Sequence, residues 1–372
     1  MKATTTELNA SHVAMLSQPK AVARGHHGRR RRRPSDESHS SCPSAEPISS
    51  SSEREIPEPG PGQVRIRVLA CGVCHSDVVT KDGLLPGIAY PRVPGHEVAG
   101  VIDDVGAAVS EWKRGDRVGV GWHGGHDGTC LACRQGDFVN CARVKVCGIH
   151  YDGGYQELMV APVEALVRIP ESLDAAEAAP LMCAGNTTFS ALRYSGARPT
   201  ELVAVRGSAV SATLGVQFAK KLGFRVAAIG RGPQNSAPLR SGSEPTSMST
   251  ASRPTPHASM QSTWWSARDS VHRAQRRRRC PRSWADSGAN GALVVVGASA
   301  EAIEVPPNAL IFGRKRILGW LAGPPTDTEE TLRFAEMTGV RPMIEKYPLA
   351  RAAEAYARML SGKAEFRAVL AM

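Results

Sequence analysis

The chain has 372 residues, 42% of them hydrophobic, and a formal net charge of +11 at pH 7. This length and composition are typical of a globular protein with room for two domains, and the lack of any run of about eighteen apolar residues argues against a membrane span. Two arginine runs, at 29–33 and 276–279, together with nearby arginines account for the basic excess. Charge concentrated in such runs is typical of solvated tails, so binding of nucleic acid or other anions is a disfavoured alternative.

Residues 1–53 are rich in Arg, Ser, Pro and Glu and have no sustained apolar periodicity. Such a segment buries too little apolar surface to offset the entropy of ordering, and we predict a disordered tail. Residues 24–53 and 233–287 share this composition, which is also typical of a GC-rich gene read out of frame. A genuine disordered basic insertion is the alternative for both tracts.

From residue 54 to about 175 short apolar segments alternate with glycines, as at 64–68, 98–101 and 117–120. Many short strands with glycine turns and no long amphipathic helix favour a small β-barrel. The chain then changes to longer elements, which indicates a second domain.

Residue types that bind zinc occur at three separated places. Cys74 and His96 lie in the first domain, and Cys183 lies in a loop of small residues. Zinc takes thiolate and imidazole ligands in a tetrahedron, and a catalytic zinc uses about three protein ligands with one position left open. We therefore predict a catalytic zinc site formed by these three residues.

The motifs around these ligands, at 72–77, 94–97 and 181–187, resemble those of the zinc-dependent medium-chain alcohol dehydrogenases. The resemblance extends over roughly 55–231 and 288–372. It implies an α/β fold with a β-rich domain: a GroES-like β-barrel catalytic domain at 54–175 and a Rossmann domain with a doubly wound parallel sheet at 176–320. Residues 321–372 then return to the catalytic domain, and the tract 233–287 is expected to damage the Rossmann sheet.

Residues 127–141 resemble the structural zinc lobe of the same family, which has four cysteines. Cys130, Cys133 and Cys141 match three of them, and Asp127 holds the first position. Aspartate oxygen can bind zinc, and the neighbouring His126 is an alternative ligand. A lobe that folds without metal is a further alternative.

Residues 201–205 and 224–229 are apolar runs typical of buried parallel strands, and a helix is predicted at 216–222. Where the family has Gly-x-Gly-Gly-x-Gly, the intervening loop reads Gly207-Ser-Ala-Val-Ser-Ala-Thr-Leu-Gly215. The missing glycines would let the backbone approach a pyrophosphate, so side chains there obstruct the cofactor. One explanation is that the loop has diverged. The other is a local frameshift in a gene that encoded Gly-Ile-Gly-Gly-Leu-Gly-His-Leu-Gly. Deleting one base from plausible codons for that sequence, and restoring one base later, yields the nine residues of this chain.

The sheet resumes at 292–297, and residues 328–337 and 349–360 have the apolar spacing of helices. In the topology of the family, the last strand, at 366–370, pairs back into the first domain. The Rossmann domain is then inserted between two pieces of the catalytic domain.

The resemblance also implies roles for single residues. Ser76 takes the proton of an alcohol bound to zinc, Asp77 orients a ligand imidazole, and Glu97 lies behind the metal or replaces a ligand transiently. Trp122 matches a wall of the substrate pocket, and Val79 holds the place of a histidine that relays the proton in many members. Positions that match the cofactor site are His75, Thr187, Gly207, Gly215, Arg231, Gly297 and Arg367.

The sequence therefore predicts a zinc-dependent oxidoreductase that transfers hydride between an alcohol and NAD or NADP, and Arg231 favours NADP. A zinc-binding relative that the altered loop has inactivated is the alternative. Nine cysteines, most of them in metal-ligand spacings, favour a reducing, cytoplasmic location. The family implies a small-molecule alcohol or aldehyde as substrate and a homo-oligomer.

Overall fold

The computed structural model describes residues 2–6, 51–85, 87–206, 209–231, 248–251, 263–267, 288–297, 303, 305–362, 364 and 367–372. Strand β1 (Lys2–Thr6) pairs antiparallel with strand β2 (Ser51–Glu55). The prediction of disorder throughout 1–53 is therefore wrong at both ends of that segment, because two paired strands satisfy each other's backbone groups. Residue 1 and residues 7–50 lie outside the described residues.

The elements that follow are short, as the glycine-rich sequence predicts. The strands are β3 (Gln63–Gly72), β4 (Val98–Val105), β5 (Arg117–Val120), β6 (Leu158–Pro162) and β7 (Leu166–Arg168). The helices are α1 (Val78–Lys81), α2 (Leu131–Arg134) and α3 (Ala175–Ala178). The side chain of Asp174 caps α3 by accepting the N–H of Ala176 at 3.0 Å.

Longer helices occur in the second half of the chain. They are α4 (Ala184–Tyr194), α5 (Ala209–Lys221), α6 (Pro307–Ile311), α7 (Pro325–Thr338) and α8 (Ala352–Leu360). The strands are β8 (Leu202–Arg206), β9 (Arg225–Arg231), β10 (Met248–Ala251), β11 (Thr263–Ala267), β12 (Ala292–Val295), β13 (Arg316–Gly319), β14 (Ile344–Pro348) and β15 (Arg367–Ala371). Within the described ranges, each helix is too short or too polar to cross a membrane.

Strand β3 is the centre of the first sheet, whose strand order is β14-β15-β3-β4-β5-β7, with β6 also paired to β3. Val64, Ile66 and Val68 alternate along β3 and are at most 1% exposed, because alternate side chains of a strand point to one face. β15 pairs antiparallel with β3, so the last strand lies in the first sheet. The described end strands β14 and β7 do not pair with each other. The first sheet is therefore open in the described part of the chain and does not close into the predicted barrel.

The second sheet has the order β10-β9-β8-β11-β12-β13. β8, β9 and β10 are parallel, and so are β12 and β13. β11 is antiparallel to both β8 and β12, so the parallel sheet is interrupted at its centre, which agrees with the expectation that the tract 233–287 damages it. Parallel neighbours need a crossover that usually contains a helix, and the described residues between β9 and β12 include none. β10 and β11 come from the tract 233–287, and the rest of that tract lies outside the described residues.

Helix α5 begins at Ala209, seven residues before the predicted start at 216. Gly215 is consequently buried inside the helix, between Leu214 and Val216. The predicted place of Gly215 in a phosphate-binding loop is wrong, since it lies beyond the first turn. The segment 209–213 contains no glycine that would disfavour a helix. Gly207 lies outside the described residues.

Aromatic rings join three of the longer helices. The ring of Phe189 on α4 lies 5.2 Å from that of Phe218 on α5 and 4.9 Å from that of Phe334 on α7, measured between centroids. Phe218 is fully buried. Because stacked and tilted rings at these distances attract each other beyond their burial, this cluster fixes α4, and with it the position of Cys183 immediately before the helix.

Candidate metal centre

Three separate segments bring four possible metal ligands together. Cys74 follows β3, His96 and Glu97 precede β4, and Cys183 precedes α4. One ligand atom from each of the four lies within 4.8 Å of the others. His96 is 2% exposed and Glu97 is fully buried. The fold therefore brings together the three residues that the sequence predicts as zinc ligands, with Glu97 beside them.

The donor atoms fit a zinc ion. Nε2 of His96 is buried and has no hydrogen-bond partner among the described residues, although a buried polar atom without a partner costs free energy. Its other ring nitrogen, Nδ1, lies 2.9 Å from Oδ1 of Asp77. This is the arrangement of a metal-bound histidine, in which one nitrogen faces the ion and the other is held by a carboxylate.

The electrostatics also favour a thiolate at this site. A hydrogen bond from the Cys183 thiol, helped by the charges of Arg367 and His96, lowers the pKa of Cys74 well below its ordinary value. The same hydrogen bond and burial raise the pKa of Cys183. Burial lowers the pKa of His96, but the negative charges of Asp77 and Cys74 outweigh it and the net pKa is raised.

Glu97 is held behind the two cysteines by Arg367. Nη2 of Arg367 donates to Oε1 of Glu97 at 2.8 Å, and Nη1 donates to the carbonyl of Val73 at 3.2 Å. Burial raises the pKa of Glu97 to about 8 against the opposing charge of Arg367. A Cβ on Gly72 would lie 1.9 Å from Oε2 of Glu97, so only glycine leaves room for this carboxyl group. The predicted contact of Arg367 with a pyrophosphate stays a prediction.

Asp77 is a central hydrogen-bond acceptor of the site. Its Oδ2 accepts the backbone N–H of Cys74 at 3.0 Å and the hydroxyl of Tyr155 at 2.8 Å, while Oδ1 faces His96. Asp77 thus contacts two predicted ligands without joining the ligand group, which favours the orienting role over a direct catalytic one. Tyr155 was not predicted as a site residue. The only local signal for it is the pair Gly153-Gly154 before it, which permits close packing.

The other residues predicted around the catalytic zinc lie near the ligands. Ser76 and His75 are half-buried in the 3₁₀ turn after Cys74. Thr187 is one helical turn beyond Cys183, and its N–H donates to the Cys183 carbonyl at 2.8 Å. Trp122 meets the ring of His96 edge to face, with 4.9 Å between centroids. Their predicted roles toward substrate and cofactor stay predictions.

Asp127, Cys130, Cys133 and Cys141 form a second ligand group, also with one atom of each within 4.8 Å of the others. Oδ1 of Asp127 accepts the N–H groups of Thr129 and Cys130, and Oδ2 accepts from Arg143 at 2.9 Å. The alternative ligand His126 instead lies with its Nδ1 3.0 Å from Nε2 of His123. Of the two candidate fourth ligands, Asp127 and His126, the structure brings Asp127 to the three cysteines.

Part of the predicted cofactor site lies outside the described residues. The backbone of Arg231 ends β9, but its side chain is outside the described part of the structure. Gly297 lies just after β12 and is half-buried. Nδ1 of His75 and Nε of Arg367 are buried and have no hydrogen-bond partner among the described residues.

Comparison with known proteins agrees with this geometry. Residues 60–171 match the family model of the alcohol dehydrogenase GroES-like domain. The alcohol dehydrogenase notN of Aspergillus sp. (strain MF297-2) is 39% identical over 314 residues, which cover 84% of this chain and 91% of that protein. An alcohol dehydrogenase of Geobacillus stearothermophilus is 33% identical over 324 residues, covering 86% of this chain and 94% of that protein.

A solved structure of CAD from Helicobacter pylori, described as complexed with NADP(H), has the same fold. Its TM-score is 0.67 at 25% identity, and the match covers 87% of this chain and 93% of that chain. Identity of 39% over 84% of this chain and 91% of the relative establishes membership. The chain belongs to the zinc-dependent medium-chain alcohol dehydrogenases, a family of alcohol oxidoreductases with a GroES-like and a Rossmann domain.

Proposed function

We propose that this protein is a zinc-dependent enzyme that transfers hydride between an alcohol and NAD(P), giving an aldehyde or ketone. The observation that carries the proposal is the convergence of Cys74, His96 and Cys183, with Nε2 of His96 buried and without a hydrogen-bond partner among the described residues. Two thiols and one imidazole leave a tetrahedral position open for a substrate oxygen. A donor set with an open position is typical of a catalytic rather than a structural zinc.

In this mechanism Cys74, His96 and Cys183 would hold zinc, which would supply a Lewis acid for the substrate oxygen and so lower the pKa of an alcohol. Asp77 keeps the His96 imidazole oriented through the 2.9 Å contact to Nδ1. Trp122, whose ring meets that of His96 edge to face, forms a wall of the substrate pocket in this proposal. Thr187 lies one turn from Cys183, and in our proposal it contacts the nicotinamide.

The alcohol proton needs a path out of the site. Ser76 is two residues after Cys74 in the same turn and is half-buried, so its hydroxyl is the first acceptor in our proposal. Val79 follows in α1, where many relatives have a histidine. A valine cannot carry a proton, so water or the cofactor ribose would have to accept it from Ser76.

Two buried donor atoms support a site for the cofactor pyrophosphate. Nδ1 of His75 and Nε of Arg367 have no hydrogen-bond partner among the described residues, and a phosphate oxygen would satisfy both. Arg231 ends β9 and Gly297 follows β12, at the edge of the second sheet where dinucleotides bind in folds of this type. Gly207 is the next residue in the sequence after β8. Arg231 favours NADP, and the relative from Helicobacter pylori is described with NADP(H).

We further propose a second, structural zinc held by Asp127, Cys130, Cys133 and Cys141, with Arg143 balancing part of the negative charge of that ligand group. The working division is a catalytic domain at 54–175 and 321–372 and a cofactor domain at 176–320. The substrate is a small alcohol or aldehyde. A cytoplasmic location and a homo-oligomeric state complete the proposal.

The test is alcohol-dependent reduction of NAD and of NADP by the purified full-length chain. Activity is measured as isolated, after removal of metal by a chelator, and after zinc is added back. We expect activity that is lost with the metal and regained with zinc. Zinc binding without coenzyme reduction for any of a panel of primary, secondary and aromatic alcohols would contradict the dehydrogenase and indicate an inactive zinc-binding relative.

A further inference from the structure

Tyr155 is a buried side chain that the proposed reaction does not use. It is fully buried, and its hydroxyl donates to Oδ2 of Asp77 at 2.8 Å across 78 positions of sequence. A hydroxyl placed this deeply in the first sheet needs a hydrogen-bond acceptor, but a phenylalanine would fill the same space without that need. The hydroxyl group of Tyr155 is therefore explained by its hydrogen bond to Asp77 rather than by packing of the ring.

That partner is the carboxylate that positions two predicted metal ligands. Asp77 has three donors: the imidazole of His96 on Oδ1, and the N–H of Cys74 with the hydroxyl of Tyr155 on Oδ2. A carboxylate is planar, so donors on both oxygens fix its rotation as well as its position. Without the Tyr155 hydroxyl, Oδ2 would keep only the N–H of Cys74, a member of its own turn.

The ring of Tyr155 is itself held against the segment that carries His96. Gly95 has a φ of +104°, and a Cβ there would lie 2.5 Å from Cδ1 of Tyr155. The N–H of Tyr155 donates to the carbonyl of Pro94 at 3.1 Å. The ring therefore packs beneath the residue before His96, while the hydroxyl reaches the carboxylate that holds the His96 imidazole.

We propose that Tyr155 is a positioning residue of the metal centre, which acts through Asp77 to fix the orientation of His96. The inference rests on the proposed binding of metal by Cys74, His96 and Cys183. Outer partners of metal-bound histidines typically change metal affinity by about 10- to 100-fold when removed. Because Asp77 keeps two of its three donors in Tyr155→Phe, the expected loss is about 10-fold, the lower end of this range.

The experiment is a titration of metal-free full-length protein with Co²⁺ and Zn²⁺ in competition with a chelator. The binding event that disappears in Cys74→Ser identifies the site. Tyr155→Phe keeps the ring against Gly95 and removes only the hydroxyl. The matched control is Tyr151→Phe, because the hydroxyl of Tyr151 is also buried but lies against Gly124 and Cys147.

We expect Tyr155→Phe to weaken metal binding at this site by about 10-fold and to shift the visible absorption of bound Co²⁺, with Tyr151→Phe like wild type in both. In an Asp77→Asn background, Tyr155→Phe should have little further effect, since residues that act through one another are not additive. Equal affinities and spectra for Tyr155→Phe and wild type would overturn the inference, and so would a full 10-fold loss in the Asp77→Asn background. If wild type has no binding event that depends on Cys74, the proposed function fails instead.

Discussion

Arg367 on the last strand of the chain donates a 2.8 Å hydrogen bond to Glu97, the residue next to the predicted ligand His96. Both side chains are buried, at 8% and 0% side-chain exposure. The pairing of β15 with β3 brings Arg367 there. The end of the chain is thus part of the metal centre, and the stability of the centre depends on the return of this strand to the first sheet.

Arg367→Met should destabilise the protein strongly. Arg367 opposes the burial that raises the pKa of Glu97, so the substitution leaves a buried carboxyl group without its cation, and loss of one partner of a buried pair costs about 3 kcal/mol or more. Denaturant unfolding at pH 9 measures the change. The control is Arg351→Met, because the pair of Arg351 with Glu354 is more than half exposed and its removal should change stability far less. Equal losses for the two variants would contradict a buried pair.

The pKa of Glu97 predicts a pH dependence of stability in the metal-free protein. Burial raises this pKa from 4.5 to about 8, so the folded state holds the proton more tightly than the unfolded state. The contribution is fully present below about pH 4.5 and is lost as the pH rises through about 8. Across this range the free energy of unfolding of wild type should fall relative to that of Glu97→Gln. Parallel curves in urea unfolding at a series of pH values would contradict the shift.

The cofactor loop is predicted to limit affinity. Ala209, Val210 and Ala212 stand where the family has glycine, and each adds a Cβ to backbone that must approach a phosphate closely. A chain with Gly-Ile-Gly-Gly-Leu-Gly-His at 207–213 should bind NAD(P) at least ~100-fold more tightly, roughly 2.7 kcal/mol. Fluorescence titration with NADH and NADPH gives both affinities.

The same pair of loops should also be compared in a chain whose 233–287 tract is replaced by a family-like sequence. This control matters because the antiparallel β11 comes from that tract and could prevent tight binding in both versions. If the chain with its own 207–213 sequence and the chain with the glycine-rich sequence bind NAD(P) equally and measurably tightly, the side chains of Ala209, Val210 and Ala212 are tolerated.

Much of the metal centre could be predicted from sequence. Cys74, His96 and Cys183 are of the residue types that zinc prefers and lie in segments that contain glycine. The fold brings one ligand atom of each within 4.8 Å of the others. Tyr155 could not be predicted, because its contact with Asp77 joins residues 78 positions apart. Asp127 and His126 could not be separated either, since neighbouring residues have nearly the same spacing to Cys130 and only the backbone decides which one faces it.

The second sheet was harder to predict. Apolar runs identify β8, β9 and β12, because strands buried on both faces are continuously apolar. The direction of β11 depends on its connections, and the tract that supplies it has no periodic pattern to define them. The resemblance to the glycine pattern of the family predicts a loop up to residue 215, but residues 209–213 of this chain contain no glycine and lie in α5.

The central claim is a catalytic zinc at Cys74, His96 and Cys183, and zinc content per chain tests it most directly. Elemental analysis of the purified protein, after removal of loosely bound metal, is compared between wild type and Cys74→Ser. The account predicts zinc in wild type and about one equivalent less in Cys74→Ser, with any zinc at the Asp127 group unchanged. A wild-type protein without zinc, or the same zinc content in Cys74→Ser, would contradict it.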